Sequence, residues 1–278
     1  MPNNPQPRTS NPSRPAERNV RLVLSYDGTA YFGWQRQKDE LSVQSAVESA
    51  LHKVLQEKAV VYCAGRTDRG VHALGQAVNF YTISKIRTDK LKKALNAVLP
   101  RDIRVLDAVE KGAGFHARYS ATRRWYRYYL YNDEVVSPFW ERYSLHCPFP
   151  LELPRLRRAL SYLRGEHDFT SLCSLKDESP VKRRRIYRAA ISAQRPLVHI
   201  DLVADGFLYN MVRIIVGTLL DINKDRLAAS VMKDIIAAKD RDRAGQTAAP
   251  QGLFLMGVAY GNRGSTAIIK EELDDGPE

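Results

Sequence analysis

The sequence predicts an α+β fold of two βαββαβ halves with antiparallel sheets, and three observations carry that prediction. Stretches of strand-like alternation and of helix-spaced apolar residues follow one another in the same order twice along the chain. The turn-rich run Lys111-Gly112-Ala113-Gly114 falls between the two series. With 278 residues and 44% hydrophobic content, the chain is long enough to bury one large core or two ordinary ones.

The first series opens with an alternating strand over 20–26 that ends in the turn Asp27-Gly28. Ser42 reads as the N-cap of a helix whose apolar face comprises Val43, Ala46, Val47, Ala50, Leu51, Val54 and Leu55. A strand over 59–63, another over 77–81, a helix over 88–98 and a strand over 103–109 complete βαββαβ. The second series runs through a strand over 123–131, a helix over 153–163 stopped by Gly165, and strands over 185–193 and 197–204. Helices over 207–220 and 227–238 follow, and a strand over 253–260 closes it. The halves read as a diverged duplication of one ferredoxin-like plan. Expected divisions are a disordered, proline-bearing N-terminal arm at 1–18, domains at 19–112 and 113–262, and an acidic tail at 263–278.

Lysine and arginine outnumber aspartate and glutamate by 43 to 31, a formal charge of +12. Such an excess points to a polyanionic partner, nucleic acid ahead of an anionic membrane surface. No apolar run approaches a transmembrane length and the N-terminus lacks the apolar segment of a secretory signal, so the expected location is cytoplasmic. Cys63, Cys147 and Cys173 lie far apart in no metal-ligand spacing, which predicts reduced, buried thiols and neither zinc nor a disulfide framework.

Asp68 is the most distinctive residue. It lies in Ala64-Gly65-Arg66-Thr67-Asp68-Arg69-Gly70, a glycine-bracketed turn that flanks one carboxylate with two arginines able to hold it ionised. Gly65-x4-Gly70 precedes Val71 and His72 where a phosphate-binding loop requires Lys and Ser or Thr, so that reading fails. A surface aspartate paired with a neighbouring arginine competes with an active-site reading here. Arg213, inside the apolar run Met211-Val212 to Ile214-Ile215-Val216, needs a buried partner. Asp68, Asp201 and Asp205 are its options. Basic residues interleave with aromatics in Phe115-His116-Ala117-Arg118-Tyr119 and in Arg123-Arg124-Trp125-Tyr126-Arg127-Tyr128-Tyr129, and Lys182-Arg183-Arg184-Arg185 adds a further basic run. The mixture suits unpaired nucleotides, where arginine and lysine meet phosphates and exposed rings stack on bases. Strand alternation buries either Tyr126 and Tyr128 or Trp125, Arg127 and Tyr129.

The stretch from Ala64 to Gln76 closely resembles the signature of the tRNA pseudouridine synthase A family. Further segments agree in order: Tyr26-Asp27-Gly28-Thr29 with Tyr31-x-Gly33-Trp34-Gln35, Phe115 to Arg118, Arg124-x-Tyr126-Arg127-Tyr128, Gly165-x-His167-Asp168-Phe169, and Met211-Val212-Arg213-x-Ile215-Val216-Gly217. The resemblance implies a homodimeric isomerase acting on uridines 38, 39 and 40 of the tRNA anticodon arm, without metal or organic cofactor, through a basic cleft between ferredoxin-like halves. It assigns Asp68 as catalytic nucleophile, Arg213 as its partner, Tyr126 to the target uracil and Arg66 to extrusion of the base. It also assigns RNA contact to Phe115, His116, Ala117, Arg118 and Tyr119. The basic run adds Lys182, Arg183 and Arg184 to the expected RNA contacts. His72 and His167 fall on motif positions but read as structural. Attack of a carboxylate on uracil C6, attack on ribose C1′, and a glycal route remain open. An RNA-binding protein on the same fold without turnover is the alternative.

Overall fold

The computed structural model describes residues 17–261. The acidic tail and all but the last two residues of the expected N-terminal arm lie outside that range. The described residues form α+β architecture around one large mixed sheet. In the first half come β1 (Arg18–Tyr26), α1 (Val43–Leu55), β2 (Tyr62–Cys63), β3 (His72–Thr82), α2 (Thr88–Val98) and β4 (Ile103–Lys111). The second half has β5 (Ala121–Tyr131), β6 (Leu145–His146), α3 (Leu153–Ser161), β7 (Gly165–Asp168), β8 (Arg183–Gln194), β9 (Leu197–Ala204), α4 (Met211–Lys224), α5 (Val231–Ala238) and β10 (Leu253–Tyr260).

Across the sheet the strands run β4-β1-β3-β10-β5-β9-β8-β7, with β2 on β3 and β6 on β5. The order β4-β1-β3-β2 therefore has a counterpart in β10-β5-β9-β8. Two separate antiparallel sheets were expected, yet one continuous sheet forms, because β10 joins β3 in parallel at Phe254 with His72 and Leu255 with Ala73. Since β1 occupies one edge of β3, both β2 and β10 must use the other. β2 pairs with Asn79 and Val78, and β10 with the opposite end of the same edge. The chain leaves the sheet after Cys63 and returns as β3, so the loop 64–71 lies where the two halves meet.

Sequence chemistry accounts for most boundaries. Ser42 Oγ accepts from Ser45 N at 3.1 Å while Ser45 Oγ accepts from Ser42 N at 3.2 Å, a reciprocal cap that starts α1. The predicted helix over 207–220 instead begins at Met211. Tyr209 N donates to Asp177 Oδ2 and Asn210 takes a left-handed φ of 60°, so neither continues a helix. The helix expected over 227–238 likewise begins later, at Val231, and Leu227 N is taken by Ile222 O at 3.0 Å. The strand expected over 59–63 shortens to two residues, with Val60 half exposed.

Helices cover one sheet face. Leu22, Leu24, Phe80, Leu51, Leu91 and Leu95 belong to the same buried cluster as Tyr128, Ile200, Leu202, Ile215 and Leu219. Fully burying such side chains contributes about 1.5–3 kcal/mol each. On the opposite face Trp125, Val203, Phe254, Met256 and Ala259 make a smaller cluster. Both faces of β5 are thus packed, which resolves the alternation: Tyr126 and Tyr128 join the helix-side core and Trp125 the other.

Candidate active site

Three short segments clamp the loop that carries Asp68. Gln76 Nε2 donates to Gly65 O at 2.6 Å, and Ala64 N donates to Ala77 O at 2.8 Å. Thr67 is buried, its hydroxyl 2.8 Å from Tyr26 Oη and its carbonyl accepting from Trp34 N at 2.9 Å. Gly33, at φ 84°, lies so close that an added Cβ would stand 2.7 Å from the Thr67 carbonyl. Only a glycine permits that approach. Val71 N closes a turn onto Asp68 O at 3.1 Å. His72 extends the clamp: its Nδ1 accepts from Gly28 N at 3.0 Å and its ring stacks on Phe254.

With its backbone held, Asp68 meets Arg213, which lies 145 residues later. Arg213 Nη1 donates to Asp68 Oδ2 at 3.2 Å, with the two side chains 15% and 20% exposed. The guanidinium is itself oriented by Asn210 Oδ1 at 3.1 Å and by the Ala248 carbonyl, which accepts from Nε at 2.7 Å. Burial pushes the Asp68 carboxyl above its ordinary value, and the charge and hydrogen bond of Arg213 oppose that shift without cancelling it. The other two options fall away: Asp201 pairs with Arg127, and an Asp205 oxygen accepts from Arg185 N. Arg66 and Arg69, expected to hold Asp68 ionised, make no ion pair with it among the described residues. Arg66 is exposed, and Arg69 lies 4.0 Å over the Phe32 ring.

Asp68, Arg69, Tyr209 and Arg213 line a cleft of about 540 Å³, together with Glu141, Arg142 and Pro250. Tyr126 stands behind the loop, since a Cβ at Gly65 would lie 3.7 Å from its hydroxyl. Its ring packs edge-on against Phe207 at 5.1 Å, and burial raises its phenol pKa, so the hydroxyl stays protonated. The cleft offers a carboxylate beside a fixed cation, with Tyr209, Arg69 and Arg142 also on its lining, while Tyr126 lies buried behind the loop.

The expected RNA-contacting residues are spread more widely. Ala117 is buried, its N donating to Asn79 Oδ1 at 2.8 Å, while Phe115 packs on Tyr260 at 4.9 Å. His116 packs between Tyr62 and Tyr119. Arg118 and Tyr119 face solvent, Tyr119 at 61% exposure. Lys182 is committed elsewhere: its ammonium donates to Asp177 Oδ1 and O, both at 2.6 Å. Arg183 is exposed, 3.8 Å from Glu166, and Arg184 donates to the carbonyls of Val181 and Arg183. His167 Nε2 donates to the Arg164 carbonyl at 2.8 Å, a backbone contact outside the cleft. Cys147 and Cys173 are buried and Cys63 half-buried, all three free.

Sequence reasoning missed Asn210, Thr67, Gln76 and the cleft residues Glu141, Arg142 and Tyr209. Thr67 and Gln76 lie inside the signature stretch without a role assigned to them, and Asn210, read as part of a helix over 207–220, is in fact the N-cap of α4; the cleft residues carried no local mark.

A family model described as tRNA pseudouridine synthase matches residues 22–120 and 159–261. The tRNA pseudouridine synthase A of Caldicellulosiruptor bescii is 44% identical over 243 residues, covering 87% of this chain and 100% of that protein. That of Moorella thermoacetica is 45% identical over 245 residues, covering 87% and 99%. The Geobacillus sp. protein of the same name is 43% identical over 244 residues, covering 87% and 98%.

Proposed function

The chain belongs to the tRNA pseudouridine synthase A family, and on that premise we propose that it converts uridine to pseudouridine at positions 38, 39 and 40 of the tRNA anticodon stem-loop, with Asp68 as nucleophile and the target base flipped out. The observation that carries the reading is the Asp68–Arg213 ion pair in a basic cleft, backed by Tyr126. The isomerase class follows from family membership; the nucleotide positions and the residue roles are this reading.

The reaction breaks the N1–C1′ bond and forms C5–C1′; C5 gives up its proton and N1 gains one. Atoms and electrons balance without an external reductant or group donor. Asp68 acts as the anion, adding to C6 or C1′ or removing the C2′ proton. Arg213 favours the ionised form and fixes the carboxylate's direction. Tyr126 packs against the extruded uracil, and Arg66, exposed at the mouth of the loop, aids extrusion. Arg118, Tyr119 and Arg183 meet the surrounding nucleotides.

We assign 19–112 and 113–262 as the two ferredoxin-like domains on the strength of the repeated strand order, and a cytoplasmic homodimer as the working form. No helix among the described residues is long and apolar enough to cross a membrane.

The decisive test is Asp68→Asn, which keeps volume and a hydrogen-bond acceptor but removes the anion. Release of labelled hydrogen from uridine C5 in single turnover should fall by about 10³-fold or more while tRNA affinity stays near that of the unchanged protein. Near-normal label release would sink the assignment.

A further inference from the structure

Arg124 stands on β5 two residues before Tyr126 and so on the same side of the strand. Its guanidinium gathers three chain segments through backbone carbonyls. Nε and Nη2 donate to Ala64 O at 3.4 and 3.1 Å, and Nη2 also donates to Arg118 O at 2.7 Å. Nη1 donates to Ala121 O at 3.2 Å and Asp205 O at 2.6 Å. No carboxylate oxygen is among these partners. Burial pulls the guanidinium below its ordinary value, and the nearby Asp205 charge opposes that shift without cancelling it.

A half-buried cation of this kind is an expensive way to tie strands together. What it joins is more informative. Ala64 begins the loop that carries Asp68, whereas Arg118 belongs to the turn that presents the exposed side chains of Arg118 and Tyr119. That turn is also held by Asn19 Nδ2 on Phe115 O, by Asn79 Oδ1 on Ala117 N and by Tyr260 Oη on Ala117 O. Among the described residues, Nη2 is the group that hydrogen-bonds to both the loop and the turn.

We infer that Arg124 is a positioning residue: through the Ala64 and Arg118 carbonyls it couples the 115–120 turn to the Asp68 loop, so that RNA seated on the turn fixes the reacting geometry. The inference rests on the proposed role of Asp68. It assigns Arg124 no contact with the base or the phosphates. A lysine at 124 retains the charge but places a single ammonium where a planar fork spans two carbonyls.

The test compares Arg124→Met and Arg124→Lys in the full chain, using transcribed tRNA. Single-turnover pseudouridine formation at saturating tRNA is measured beside the tRNA dissociation constant and the melting temperature. The saturating rate should fall about tenfold to a hundredfold in Arg124→Met, the size expected for a misplaced reacting group. The dissociation constant should stay within about threefold, as nothing that meets RNA is removed. Arg124→Lys should lie between Met and the unchanged protein. Weakened binding with an unchanged saturating rate would make Arg124 an RNA contact and overturn the inference. So would a lowered melting temperature with a normal rate, which is the signature of a purely structural role. If Arg124→Met does not fold, Arg124→Lys decides alone: a reduced saturating rate at normal affinity supports the coupling, and a normal rate refutes it. Failure of the Asp68 reading shows separately, as Asp68→Asn turning over normally.

Discussion

Asp68 is subject to opposing influences, burial raising its pKa and Arg213 lowering it, with burial prevailing. If the ionised form attacks, the acidic limb of the single-turnover pH profile should lie above the ordinary carboxylate range. Arg213→Met should move that limb further up, because the opposing cation is gone. A limb that does not move in Arg213→Met would show that another group sets it. The linkage sign follows from the same shift. A carboxyl raised on folding binds its proton more tightly in the folded state, so its contribution to stability is full below the unfolded value and is lost as pH rises through the folded one. Asp68→Asn mimics the protonated form. Its melting temperature at neutral pH should equal or exceed that of the unchanged protein, and a fall of several degrees would contradict this. The residue was legible in the sequence because its turn chemistry is local. The resemblance also assigned Arg213 as its partner, and the two meet at 3.2 Å; the residues alone left Asp68, Asp201 and Asp205 open, since that choice depends on which strand lies beside α4.

At the scale of elements, α4 shows how a helix start can serve a site. Asn210 holds a left-handed backbone, and its side chain also steadies Arg213. Asn210→Ala should cost about 1–2 kcal/mol in chemical unfolding, because alanine resists that backbone region, and should slow turnover through the loosened guanidinium. Asn210→Gly separates the effects: stability should recover while turnover remains low. Equal stability of the two variants would remove the backbone argument. Helices with strong periodicity, such as Thr88–Val98, were readable to the residue. The starts of α4 and α5 were not, because apolar spacing continued through residues whose backbone N–H groups or φ angles are taken by tertiary contacts.

For the whole molecule, the proposed function makes the excess of positive charge the feature that meets RNA, yet basic residues do not contribute alike. Asp177 is pushed up by burial but drawn down to about 2 by Lys182 and by the N–H groups of Tyr209 and Ser179. Lys182→Ala should therefore destabilise the fold by about 1–3 kcal/mol with little effect on the salt dependence of tRNA binding. Arg183→Ala should do the reverse, leaving stability intact and reducing the salt slope by about one. Identical behaviour of the two would refute the division. While the expected second βαββαβ series gained the short strands β6 and β7, the sequence by itself determined the α+β class, the basic character and the unusual setting of Asp68. These depend on periodicity, composition and turn chemistry, which act over a few residues. Only the tertiary structure decided that β10 closes onto β3 to make one sheet, that the Asp68–Arg213 pair forms without Arg66 or Arg69, and that Lys182 is spent on Asp177. The first two are contacts between segments distant in the chain, settled by which strand edges and buried charges come together; the third joins residues only 5 apart and depends on the turn that brings Asp177 back onto Lys182.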